Sequence, residues 1–258
     1  MQLDIKDQLF IVGGATSGFG LAITKALVEE GAKIIAVARG KEKMDALMAS
    51  APQQIEGIKG DITQSETIQR IVKQVGKRHL SGMLVNAGGP PAMSFMETTL
   101  EDWDEAYQNI LRWKVEITQA FAPKFIAQKY GRLVYIESVS VKQPVENLVL
   151  SNSLRLGVVG FVKTLSEEIG HHGVNLNILA PGYHATPAIE RLLQKKSDNE
   201  GISVEEARAA FAAQTKSGQM GAAADLASLA LWLLSPVSRF ITGQTISVDG
   251  GTVKGVMG

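Results

Sequence analysis

The stretch LFIVGGATSGFGLAITKALVEEG, Leu9–Gly31, decides the architecture. LFIVG is an apolar β-type run, and GGATSGFG follows at once, with Gly14, Gly18 and Gly20 spaced G-x-x-x-G-x-G. A helical pattern then covers Gly20–Glu30. Glycines in such a strand–turn–helix unit let the backbone turn sharply and let a pyrophosphate reach the amides at the helix N-terminus. The placement predicts a dinucleotide cradle built from Gly14, Ser17, Gly18, Phe19 and Gly20; the alternative is a tight turn with no ligand.

Working outward, short β-type runs alternate with longer helical patterns. The strand candidates are Leu9–Gly13, Lys33–Ala38, Ile55–Asp61, Met83–Asn86, Arg132–Glu137, Val174–Leu179 and Thr245–Asp249. The helical patterns are Gly20–Glu30, Lys41–Ala49, Gln64–Lys77, Leu100–Lys129, Ser151–His171 and Ala222–Leu234. This alternation predicts an α/β fold, a doubly wound parallel sheet of about seven strands with helices on both faces. No repeat or linker divides residues 1–258, so a single domain is expected. Thr186–Gly218 breaks the rhythm as a helical excursion from the edge where ligands lie in such sheets. It reads as a lid or as a surface insertion, with QKKSDNEG, Gln194–Gly201, as a mobile turn within it.

Composition narrows the function classes. Of 258 residues 45% are hydrophobic, ample for a core, and 26 basic residues balance 26 acidic ones. A zero net charge speaks against nucleic acid or an anionic membrane as the main partner. The absence of cysteine excludes disulfides, thiol catalysis and Cys-type metal sites, and no metal-ligand spacing occurs elsewhere. MQLDIKDQLF lacks the apolar run of a signal peptide, and the apolar stretch Leu226–Leu234 is too short to span a bilayer. A soluble, cytoplasmic protein is expected.

After the second strand, AVARGKEK supplies Arg39, Lys41 and Lys43, with no acidic residue between Glu30 and Glu42. NAD-selective sites commonly place a carboxylate here for the ribose hydroxyls. A cation at Arg39 suits a 2′-phosphate instead, so the expected cofactor is NADP(H).

The ordered motifs GGATSGFG at Gly13, GDIT at Gly60, VNAGG at Val85, YIESVS at Tyr135, APGY at Ala180 and ITGQTISVDGG at Ile241 resemble the short-chain dehydrogenase/reductase family over essentially the whole chain. The resemblance implies a Rossmann-type fold and a small-molecule carbonyl or alcohol substrate. It assigns Asp61 and Ile62 to the adenine side, Asn86, Ala87 and Gly88 to the cofactor wall, and Pro181, Gly182 and Thr186 to the nicotinamide end. Homodimers or homotetramers, built on the long helices, are implied as well. The chain departs from the pattern at several places. Gly13 stands where the family has threonine, Val85 replaces an asparagine, and Ile110 takes the place of an active-site asparagine. Asn109 is adjacent but turned about 100° around a helix. Lys114, one turn on, reads as a solvated or interface lysine.

The largest departure is catalytic. The resemblance implies a serine after the fifth strand, here Ser138, which bonds the carbonyl. It also implies a Tyr-x-x-x-Lys on the next helix, but Ser151 and Arg155 occupy those positions, so the usual proton donor is missing. Three readings follow. In one, a carbonyl reductase uses another acid: Lys142 just before Pro144, or Tyr183 or His184 as backups, Tyr183 reading also as a packing residue. In another, Ser138 and Ser151 hold a water that delivers the proton while Arg155 anchors the ribose. In the third, the fold binds NADP(H) as a sensor or scaffold without chemistry. The intact cofactor motifs favour the reductase.

Overall fold

The computed structural model describes residues 2–256. The first half of the chain runs β1 (Leu9–Gly13), α1 (Gly18–Glu29), β2 (Lys33–Ala38), α2 (Lys41–Ser50), β3 (Ile55–Lys59), α3 (Ser65–Val75) and β4 (Gly82–Val85). The second half begins with α4 (Leu100–Tyr107), α5 (Trp113–Gln128), β5 (Gly131–Ile136), α6 (Val149–Ile169) and β6 (Val174–Pro181). It closes with β7 (His184–Ala185), α7 (Pro187–Glu200), α8 (Val204–Gln214), β8 (Gly221–Ala222), α9 (Ala223–Leu234) and β9 (Thr245–Val248). Seven strands form one parallel sheet in the order β3-β2-β1-β4-β5-β6-β9.

The strands are apolar on both faces because both are covered. Ile11, Met83 and Leu133 stand in register on one face, beneath α3, α5 and α6. Val12, Leu84 and Val134 form the opposite row, beneath α1, α2 and α9. Each face therefore has its own core, and the strand ends between them are left to the ligand.

Two expectations are corrected. The pattern Leu100–Lys129 is not one uniform helix, because a wide π turn, Gln108–Arg112, separates α4 from α5. Trp113 donates its indole N–H to the Asn109 carbonyl at 2.9 Å, giving a side-chain partner where the wider turn breaks the regular ladder. The run Gln194–Gly201 is not a mobile turn but the last two turns of α7. Gln194–Asp198 and Lys196–Glu200 pair at helical spacing, and Gly201 ends the helix in the left-handed region.

The excursion is a helical hairpin with its own apolar cluster of Ile189, Leu193 and Ala207, packed by Tyr183, Leu192 and Phe211 among others. It leaves and rejoins the body through the two-residue ladder of β7 and β8. Arg208 clasps both carboxylate oxygens of Glu190 across the hairpin.

At the end of β1, a Cβ on Gly13 would lie 2.4 Å from the Asn86 carbonyl oxygen. The ends of β1 and β4 approach too closely here for any side chain, which is why threonine is absent. Gly13→Thr is expected to cost about 1–3 kcal/mol by overpacking. Thermal unfolding should then fall by roughly 2–4 °C per kcal/mol, and an unchanged midpoint would refute this close approach.

Candidate functional site

The chain steps outward from β1 through β2 to β3, then crosses back to β4 on the other side of β1. That reversal opens a crevice at the carboxyl ends of β1 and β4. A cleft of about 930 Å³ occupies it. A smaller hollow of about 470 Å³ lies at the opposite end, where the strands begin, lined by Leu9, His79, Ser81 and Tyr130 among others.

The glycine turn forms one wall of the cleft through Gly14 and Ser17. Gly14 has φ +63°, and the Asn86 side-chain amide donates to the Gly13 carbonyl at 3.0 Å, fixing the turn to β4. Ser17 precedes α1 without making a side-chain cap, and the first turn of α1 holds no acidic residue. Its amide end is therefore open to an anion. Gly18 faces Thr186, the residue before α7, and Phe19 packs edge-on against His184 at 5.1 Å. Burial pushes the His184 imidazole below its ordinary value, and Tyr183 stacks on Phe211 at 4.6 Å.

Past the ends of β2 and β3, exposed Arg39 lies 3.6 Å from the Asp61 carboxylate, and Lys41 and Lys43 line the same cleft. Asp61 is ordered by the backbone N–H and hydroxyl of Thr63, while Ile62 is buried beside it. Ala87 and Gly88 form the opposite wall, and buried Pro181 leads to Gly182, whose N–H bonds the Val248 carbonyl at 3.0 Å. Gly14, Ser17, Arg39, Lys41, Lys43, Asp61, Ile62, Ala87 and Gly88 line one crevice whose open helix end and cations fit a phosphorylated dinucleotide, while Pro181 and Gly182 lie outside its lining.

Beyond β5 a second assembly sits at the same edge. The Ser138 hydroxyl oxygen accepts the Ser140 N–H at 3.1 Å, leaving its own proton free to donate. Ser140 reaches buried Ser151 at 3.4 Å, and Arg155 Nε donates to Ser151 Oγ at 2.9 Å. Arg155 Nη1 donates to Glu137 Oε2 at 2.8 Å, while Lys114 Nζ donates to Glu137 Oε1. Lys142 follows the short turn Val139–Val141 half-buried, and among the described residues its ammonium takes part in no ion pair or hydrogen bond.

Lys114 corrects the expectation of a solvated lysine: it is 3% exposed, and Glu137 is 4% exposed. Burial pushes its ammonium down to about 8; Glu137 pulls the other way, and Arg155 adds to the fall. The partner comes from a strand end 23 residues downstream, so no local period reveals the pair. The available signal was Glu137 itself, a carboxylate closing an apolar strand. Asn109, turned from Ile110 on the helix as the sequence implies, faces the cleft together with Glu105, while Ile110 is buried in the core.

Among the described residues no helix is long and apolar enough to cross a membrane, and no group of three or more acidic or histidine side chains gathers as a metal site.

Two substitutions separate the roles of the buried charges. Glu137→Gln strands two buried cations and is expected to cost about 3–5 kcal/mol in denaturant unfolding. Lys114→Met leaves a matched Glu137–Arg155 pair and should cost about 1 kcal/mol or less, consistent with the weak net benefit of buried ions. Equal losses would show that the two cations do not share the carboxylate.

A family model described as enoyl-(acyl carrier protein) reductase matches residues 14–253. The 3-oxoacyl-(acyl-carrier-protein) reductase of Thermotoga maritima is 28% identical over 254 residues, covering 96% of this chain and 99% of that protein. Dehydrogenase/reductase SDR family member 6 of Xenopus laevis is 28% identical over 246 residues, covering 95% and 96%. A variant of the actinorhodin polyketide ketoreductase, solved with NADPH, superposes with a TM-score of 0.91 at 27% identity, covering 96% and 98%. With the family model matching nearly the whole length and relatives aligned end to end, the chain belongs to the short-chain dehydrogenase/reductase family.

Proposed function

We propose that this protein is an NADP(H)-dependent oxidoreductase that reduces the carbonyl of a small molecule, a 3-oxoacyl compound, ketone or aldehyde. The observation that carries the reading is the Ser138 hydroxyl, held by the Ser140 N–H with its proton free, two residues past the end of β5. The nicotinamide ring, when bound, supplies a hydride. Gly14, Ser17, Gly18, Phe19 and Gly20 hold the diphosphate on the α1 amides. Arg39 answers the 2′-phosphate, with Asp61 and Ile62 at the adenine. Asn86, Ala87 and Gly88, with Pro181, Gly182 and Thr186, line the path to the nicotinamide, and Arg155 holds its ribose.

Ser138 polarises the carbonyl by donating its hydroxyl proton in a hydrogen bond. Lys142, half-buried at the end of the turn after Ser138, delivers the proton to the carbonyl oxygen; Ser151 takes part through Ser140. The α7–α8 hairpin serves as a lid, which Pro187, Ala188 and Arg191 of α7 support by lining the cleft, and Lys195 ties α7 to the Ala92 carbonyl at 2.6 Å. Exposed Leu100 and Tyr107 on α4 and Leu156 on α6 suit a homodimer or homotetramer in the cytoplasm.

NADPH oxidation across a panel of 3-oxoacyl thioesters, ketones and aldehydes tests the reading. Turnover on one class is expected; tight NADPH binding with no turnover would favour a binding protein instead. Lys142→Ala is expected to lower kcat by about 10²–10⁴-fold, and an unchanged kcat removes Lys142 as the donor. Arg39→Ala should weaken NADPH by about 10–100-fold, the worth of a charge-assisted hydrogen bond, while sparing NADH. Equal effects on both nucleotides would remove the 2′-phosphate assignment.

A further inference from the structure

Lys114 and Arg155 share the single carboxylate of Glu137, so the cluster carries one surplus positive charge in the protein interior. The groups facing Lys114 are Glu137 from the end of β5 and Arg155 from α6, with the Trp113 ring 5.8 Å away on its own helix. The Tyr135 hydroxyl, one pleat back on β5, is engaged with Thr118 at 2.8 Å. No second anion closes the balance among these groups. The cluster also touches the cleft. A Cβ on Gly89 would lie 3.0 Å from Arg155 Nη2, and Gly89 lines the cleft beside Gly88. Glu137 directly precedes Ser138.

We infer that the Lys114–Glu137–Arg155 cluster is a charge-selective element of the cofactor site, favouring the uncharged dihydronicotinamide of NADPH over the cationic ring of NADP⁺. The inference rests on the reading that the cleft binds NADP(H). Both nucleotides carry the same phosphates, so the cluster's effect on those cancels in the comparison, and its charge separates the two only through the ring. A buried cation repels the oxidised ring and leaves the reduced one untouched, which retains NADPH and expels the product nucleotide. Lys114 acts here as a positioning residue, through Glu137 and Arg155.

Lys114 makes the effect depend on pH. Its ammonium is pushed down to about 8 by burial, so the surplus charge is present below that pH and lost above it. Discrimination should therefore be strong in mild acid and fade in base, the sign expected for a depressed lysine.

The test is the ratio of Kd for NADP⁺ to Kd for NADPH, measured by fluorescence titration at about pH 6.5 and about pH 9.5. Titration of the 2′-phosphate is common to both ligands and cancels in the ratio. For the wild-type protein the ratio is expected to fall about tenfold between the two pH values, with a midpoint near the Lys114 titration. In Lys114→Met the ratio should be low at both, and in Lys114→Arg high at both. A pH-independent wild-type ratio, or the same step in either variant, would overturn the inference. Failure of both nucleotides to bind would overturn the cofactor reading beneath it, a different and recognisable result. The wild-type titration needs no variant to fold.

Discussion

The Glu137 carboxylate ties three elements at the working edge of the sheet: β5, on which it ends, α5 through Lys114, and α6 through Arg155. Its protein partners are both cations, and both are withdrawn from water, where attraction is stronger than at the surface and an unpaired charge is most costly. The geometry of Ser151 follows, because Arg155 bonds Ser151 and Glu137 with different nitrogens of the same planar fork. Ser151 in turn meets Ser140, which fixes the oxygen of Ser138. One carboxylate thus anchors a run of hydrogen bonds reaching Ser138, with no tyrosine in the series.

The architecture was legible because local signals and burial agree. Parallel strands covered on both faces must be apolar throughout, and β1 and β2 fall on the residues that their apolar runs mark. The glycine turn between β1 and α1 was legible for a similar reason, since its glycines stand between a marked strand and a marked helix. Three things were not legible. The π turn at Gln108–Arg112 leaves no mark on a helical period read over a long window. The helical state of Gln194–Glu200 depends on i,i+4 pairs that composition alone reads as solvated polarity. The burial of Lys114 depends on a carboxylate far along the chain, brought near only once α5 packs on β5. In each case a pairing at helical spacing or across the fold overrides a plausible local reading.

The two ends of the cleft are built on different principles. The Arg39 end is exposed: Arg39 and Asp61 stand 3.6 Å apart, with side chains 80% and 35% exposed, a weak pair easily surrendered to a ligand. Beyond β5, Lys114, Glu137 and Ser151 are buried, and Arg155 bonds both Glu137 and Ser151. The exposed Arg39–Asp61 pair can be rearranged at little cost, whereas loss of the Glu137 carboxylate is felt by both cations that it holds.

The hairpin of α7 and α8 meets the body through a neck two residues wide on each side, and packs on an apolar cluster of its own. Because its cohesion draws little on the sheet's two cores, substitutions within it leave the cofactor wall's stability largely intact. Sequence drift can accumulate in this appendage while the scaffold stays constant, so related chains can diverge in what they admit to the cleft without refounding the fold that holds it.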